Sequence, residues 1–272
     1  MSLARTALPV RPWPWPALAA GLAVSVAVPV ALAAVIGLAR GAFVVLTAGT
    51  VYAVGAAAVA TRWPHRVLGV ANAVTLVRLV MVSWMAGALA VPGASPWVPG
   101  ARSWQVPLAV AGLCCLLLDG VDGRVARTRG LVSTFGARFD LEVDAALVLV
   151  LSVAVAALGV AGWWVVSIGL VRYAYAVAGA VWPWLRGPLF PSMTRKVVGV
   201  CVVVALLVAL ISPVLAGVPS LAHLPVLAGV PMLGHLPVLA GWPLLVVALG
   251  AVCWSFARDA RWQHANRERL RQ

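Results

Sequence analysis

The chain has 272 residues, of which 63% are hydrophobic and only 10% charged, with a mean hydropathy of +1.03. Soluble domains carry about 25% charged residues, so this composition excludes a water-soluble enzyme and describes a polytopic membrane protein whose length holds one integral domain. The net charge of +13 comes from basic residues scattered among apolar runs, which is a topology signal rather than a nucleic-acid footprint.

Taken in order, residues 1–16 read as a cytoplasmic leader, with Arg5, Arg11 and an interfacial aromatic pair, Trp13 and Trp15. The first apolar run exceeds the roughly 7–15 residues of a signal-peptide core, so no cleavage is expected. Residues 17–66 hold two transmembrane helices, 17–38 and 42–60, turning at Arg40–Gly41 and ending in the basic loop 61–66. A third span follows, to about Val91. Asn72, Thr75 and Arg78 fall at i, i+3 and i+6 at its start, a polar stripe that meets either lipid headgroups or a ligand. After a Pro/Gly/Ser loop comes a fourth span, 104–126, then a turn broken by Gly130, a fifth span, 136–160, and a sixth, 163–184, with Arg172 at its middle.

A loop carrying Arg186, Arg195 and Lys196 leads to a seventh span, 197–215. Segments beginning at Pro213, Pro225 and Pro237 then repeat with a period of twelve. They are too few and too proline-rich to stack as a solenoid, and their His223 and His235 lack companion ligands. The eighth span ends near Phe256, and residues 258–272 form a basic tail. Cys114, Cys115, Cys201 and Cys253 lie in apolar runs without C-x-x-C spacing and read as small hydrophobes. With both termini cytoplasmic, seventeen of the twenty Lys and Arg residues fall at cytoplasmic ends, leaving Arg40 and Arg102 opposite and Arg172 mid-span. That asymmetry supports eight spans.

The chain has seven acidic residues, and five lie between positions 119 and 144. A carboxylate at the centre of a membrane helix costs about 2.5–3.5 kcal/mol on insertion scales, so this concentration requires a neutralising partner. Asp119, Asp122, Gly123, Ala126 and Arg127 occupy one helical face; Gly136, Asp140 and Asp144 occupy one face of the next helix. A short turn makes the two helices antiparallel neighbours, so four aspartates converge near the cytoplasmic interface. Glu142 lies about 200° from Asp140, faces elsewhere, and has Arg138 within i, i+4 reach. Gly123, Ala126 and Gly136 serve close helix packing, ligand access, or both. Four carboxylates form a hard-oxygen site suited to Mg²⁺, Mn²⁺ or Ca²⁺, with charge enough for a pair of ions. Paired ions clamp the oxygens of a phosphoryl displacement, and Arg127 can hold a phosphate beside them. The pattern predicts metal-assisted phosphoryl-group transfer at a membrane–cytosol interface.

The spacing D-x2-D-G-x2-A-R-x8-G-x3-D-x3-D, met at Asp119, Asp122, Gly123, Ala126, Arg127, Gly136, Asp140 and Asp144, resembles that of the CDP-alcohol phosphotransferase family (CDP-alcohol phosphatidyltransferases, class I). Asn72-x-x-Thr75-x-x-Arg78 resembles the family's N-terminal helix motif, with Ala71 where a proline is common. The resemblance implies an all-α integral membrane fold: a six-helix core over residues 67–257, to which the two leading helices are an addition. It implies transfer of a substituted phosphate from a CDP-linked donor, often CDP-diacylglycerol, to an alcohol hydroxyl with release of CMP. Two divalent ions, Mg²⁺ or Mn²⁺, would be held by Asp119, Asp122, Asp140 and Asp144, with Asp144 also the general base. Gly123, Arg127 and Ser133 would contact the cytidine diphosphate, with Ala126 and Gly136 lining the same cleft and Asn72 and Thr75 close to the nucleotide. Arg172, Arg195 and Lys196 are candidates for a pocket that takes a phosphorylated acceptor; ordinary positive-inside charge explains the latter two equally well. The expected partners are the CDP-alcohol, a polyol-phosphate or lipid acceptor, membrane lipids and a second copy of the chain, with no nucleic acid. The expected setting is the plasma membrane, with the site on the cytoplasmic side. A divalent-cation transporter and a catalytically silent member of the family are the competing readings.

Overall fold

The computed structural model describes residues 15–36, 38–60, 70–90, 104–128, 134–187, 193–216 and 236–266. The described residues are helical: α1 (Trp15–Ile36), α2 (Leu38–Ala60), α3 (Val70–Leu89), α4 (Gln105–Thr128), α5 (Thr134–Ala157), α6 (Val166–Val181), α7 (Met193–Ala216) and α8 (Leu236–Ala265). Short 3-10 turns flank α6 at Trp163–Val165 and Pro183–Arg186. No strand occurs among the described residues, and the expected all-α membrane architecture holds. Hydrocarbon offers the backbone no hydrogen bonds, so runs of Ala, Leu and Val satisfy it internally as helices. Pro29, Pro213 and Pro243 lie inside α1, α7 and α8, a position that membrane helices tolerate.

Among the described residues, four helical stretches are long and apolar enough to cross a membrane: Asn72–Leu89, Trp163–Val181, Met193–Leu215 and Trp242–Ala265. Shorter apolar helices cover Pro16–Ala31, Val44–Ala57 and Gln105–Gly120. Three boundaries differ from the sequence reading. α2 begins at Leu38, so Arg40 and Gly41 lie inside a helix and do not form the expected turn, because in hydrocarbon the backbone keeps its helical hydrogen bonds. Arg195 and Lys196 belong to the first turn of α7, not to a loop. The eighth helix continues past Phe256 to Ala265. The central copy of the repeat, with His223 and His235, lies outside the described residues.

The continuation of α8 is anchored by buried polar groups. Tyr175 of α6 donates its hydroxyl to Gln263 Oε1 at 2.5 Å, and Gln263 Nε2 donates to the Gly187 carbonyl at 2.7 Å. Asp259 is buried and lies 3.0 Å from Arg195 Nε of α7. These pairings hold residues 258–265, expected as part of a basic tail, in the helix.

Among the described residues two apolar clusters hold the helices together. The larger joins α3 to α8 through residues such as Val82, Leu108, Leu151, Ile168, Leu206 and Leu245. The smaller joins the leading helices to α3 and α5, with Leu18, Tyr52, Leu79 and Phe139. Tyr52 donates its hydroxyl to the Leu18 carbonyl at 2.9 Å, tying α2 to α1. Gly169 of α6 lies against the α5 backbone: a Cβ there would stand 2.5 Å from Leu149 Cα. Overpacking costs about 1–3 kcal/mol. Gly169→Ala is therefore expected to lower the apparent melting temperature in detergent by roughly 2–10 °C. An unchanged melting curve would refute this close contact.

Candidate functional site

Helix α3 packs against both α4 and α5, and these two touch each other less. The site forms where the three meet. Asp119 comes from α4, and Asp140 and Asp144 from successive turns of α5. One carboxylate oxygen from each lies within 4.8 Å of the others. The helical phases expected from the spacing are thus realised for these three aspartates.

Between them stands Arg78 of α3. Its Nη1 donates to Asp119 Oδ1 at 3.2 Å and to Asp140 Oδ1 at 2.5 Å, and its Nη2 donates to Asp144 Oδ1. The Arg78 side chain is 1% exposed, whereas those of Asp119, Asp140 and Asp144 are 30%, 34% and 41% exposed. The site is therefore polarised: its cation forms the closed inner wall and its carboxylates face outward. Among the described residues one guanidinium faces three carboxylates, so the cluster formally carries more negative than positive charge. Ionised carboxylates only accept hydrogen bonds, so this surplus favours cations.

By sequence Arg78 belongs to the polar stripe and to the topology charges; its ion pairs with three aspartates are a finding of the structure. The available signal was a lone arginine inside an apolar helix, at the same three-residue spacing as Asn72 and Thr75. Thr75 is buried and Asn72 half-buried, one and two turns before Arg78 on α3.

The other expected residues divide by position. Asp122, Gly123, Ala126 and Arg127 lie on the last two turns of α4, and their side chains are outside the described residues, as is Ser133 altogether. Gly136 is half-buried on α5, one turn before Asp140. Glu142 points away from the cluster, as its phase requires. Its ion pair, however, is with Arg172 of α6, whose Nη2 donates to Glu142 Oε1 at 2.5 Å, and not with Arg138. Pairing across helices neutralises both charges where each would otherwise meet hydrocarbon. Of the three basic candidates for an acceptor pocket, Arg172 and Arg195 thus already face carboxylates, and Lys196 is exposed at the start of α7.

A sequence model of the family described as CDP-alcohol phosphatidyltransferase matches residues 68–254. The matched region contains α3 to α7, most of α8 and every aspartate of the cluster, and leaves α1 and α2 outside. No curated protein and no solved structure is significantly similar to the chain.

Proposed function

The chain belongs to the CDP-alcohol phosphatidyltransferase family, and on that premise we propose that it transfers a phosphatidyl group from CDP-diacylglycerol to an alcohol hydroxyl, releasing CMP. The observation that carries this reading is the convergence of Asp119, Asp140 and Asp144, three residues of the family spacing, within 4.8 Å. The donor set suits divalent ions: three hard carboxylate oxygens, half-exposed, with an excess of negative charge after Arg78 is counted. Asp119, Asp122, Asp140 and Asp144 would hold Mg²⁺ or Mn²⁺, which supplies charge stabilisation on the diphosphate.

The remaining roles fall to the chain itself. Asp144 takes the proton of the acceptor hydroxyl as its oxygen attacks phosphorus. The new oxygen–phosphorus bond forms as the bond to the CMP oxygen breaks, and CMP leaves with that electron pair. Gly123, Arg127 and Ser133 bind the cytidine diphosphate; Ala126 and Gly136 keep the cleft open to it; Asn72 and Thr75 lie alongside. In an acceptor pocket of Arg172, Arg195 and Lys196, Lys196 is the accessible cation, whereas Arg172 and Arg195 would share a polyol-phosphate or lipid acceptor with Glu142 and Asp259. Residues 67–257 form the catalytic domain, placed in the plasma membrane with its cleft toward the cytosol, where a soluble acceptor can meet a lipid donor. A cation-conducting role is disfavoured, because the clustered acids share one buried arginine and do not line a path.

An acceptor panel tests this. Detergent-solubilised protein with CDP-diacylglycerol, Mg²⁺ or Mn²⁺, and a series of polyol phosphates and lipid alcohols is expected to release CMP with one acceptor class. The product is read by lipid mass spectrometry. Intact donor binding without CMP release from any acceptor would exclude the enzyme reading and leave a catalytically silent member.

A further inference from the structure

The charge balance of the cluster makes Arg78 more than a packing residue. It bonds to three carboxylates on two other helices and is 1% exposed. Arg78 is enclosed by the packed helices, and a buried arginine stripped of its partners carries a large desolvation penalty, so it keeps its carboxylate bonds when other cations arrive. It stays and shares the same carboxylates with them. Building on the metal reading above, we propose that Arg78 is a resident counter-ion: it positions Asp119, Asp140 and Asp144 before divalent cations bind, and its retained charge sets how tightly those cations are held.

Two consequences oppose each other. Without Arg78 the three carboxylates repel one another and lose their fixed rotamers, which destabilises the metal-free protein. Without Arg78 an incoming cation also meets no positive charge a few ångströms away. Charge repulsion at that range outweighs the ordering of three short side chains, so divalent affinity rises as metal-free stability falls. A residue that only packed the helices would lower stability equally with and without metal.

The test compares wild type, R78M and R78K in detergent by thermal unfolding, first in EDTA and then along a Mn²⁺ titration. R78M in EDTA is expected to melt about 10 °C below wild type. Mn²⁺ is expected to raise the R78M melting temperature by more than it raises that of wild type. The Mn²⁺ concentration at half-shift is expected to be about tenfold lower in R78M. R78K keeps the charge and loses the fork that reaches three carboxylates. It is expected to melt below wild type in EDTA while keeping a near-wild-type half-shift concentration. Where R78M yields no folded protein, R78K decides: equal melting in EDTA, or a tenfold change in half-shift, overturns the proposal. A Mn²⁺ shift in wild type that R78M reproduces at the same concentration overturns this proposal alone. No Mn²⁺ shift in any of the three overturns the metal reading and this proposal with it.

Discussion

Replacing Asp144 with asparagine is expected to reduce CMP release about 10²–10⁴-fold, the range a general base contributes, with the donor still bound. The geometry separates these effects. Asp144 accepts from Arg78 Nη2 through Oδ1, and an asparagine carbonyl oxygen can accept the same bond. The three-helix junction therefore survives the substitution, while the group that would take the hydroxyl proton is lost. Of the three clustered aspartates Asp144 is the most exposed, at 41%, as contact with an incoming alcohol requires. The measurement is a pair: donor binding by calorimetry and CMP release at saturating acceptor. Turnover within threefold of wild type would remove Asp144 from its role; loss of folding would show instead that Asn cannot hold Arg78.

Removing divalent ions is expected to have an effect at least as large. Lewis-acid stabilisation of a phosphoryl displacement is worth several kcal/mol, on the order of 10³-fold or more in rate. EDTA-treated protein should therefore release essentially no CMP, and added Mg²⁺ or Mn²⁺ should restore the rate. It should also remain folded, because Arg78 neutralises part of the cluster without help. Helical circular dichroism before and after chelation checks this second half. Retention of a tenth of the rate after exhaustive chelation would defeat the metal assignment; irreversible loss of helix would defeat the idea that Arg78 keeps the empty cluster stable.

The aspartate cluster was legible because its determinants are local. Asp140 and Asp144 share a face through a spacing of four, and Asp119 sits on the preceding helix, one short turn away. The partner of these groups was not legible. Arg78 is 41, 62 and 66 residues from Asp119, Asp140 and Asp144, and no local pattern encodes a contact between helices. The same limit hid the pairing of Glu142 with Arg172, since the nearer Arg138 satisfies the i, i+4 rule equally well on paper. The extension of α8 was missed for a different reason. Asp259 is one of two acids among five tail arginines, and composition alone cannot tell that it is buried against Arg195. The helix order of the fold came through well, because long apolar runs permit little else in a membrane.

The wide spacing of Arg78 from its partners also has a consequence for biosynthesis. α3 is synthesised before either helix that neutralises its arginine. At about 5–20 residues per second, the ribosome needs roughly 3–13 s to make the intervening chain. During that interval the nascent α3 carries its arginine without the carboxylates of α4 and α5, which favours holding it at the bilayer surface, where a long basic side chain can reach water. Burial of α3 is thereby linked to the arrival of α5, so the three-helix junction closes only after α5 has been made.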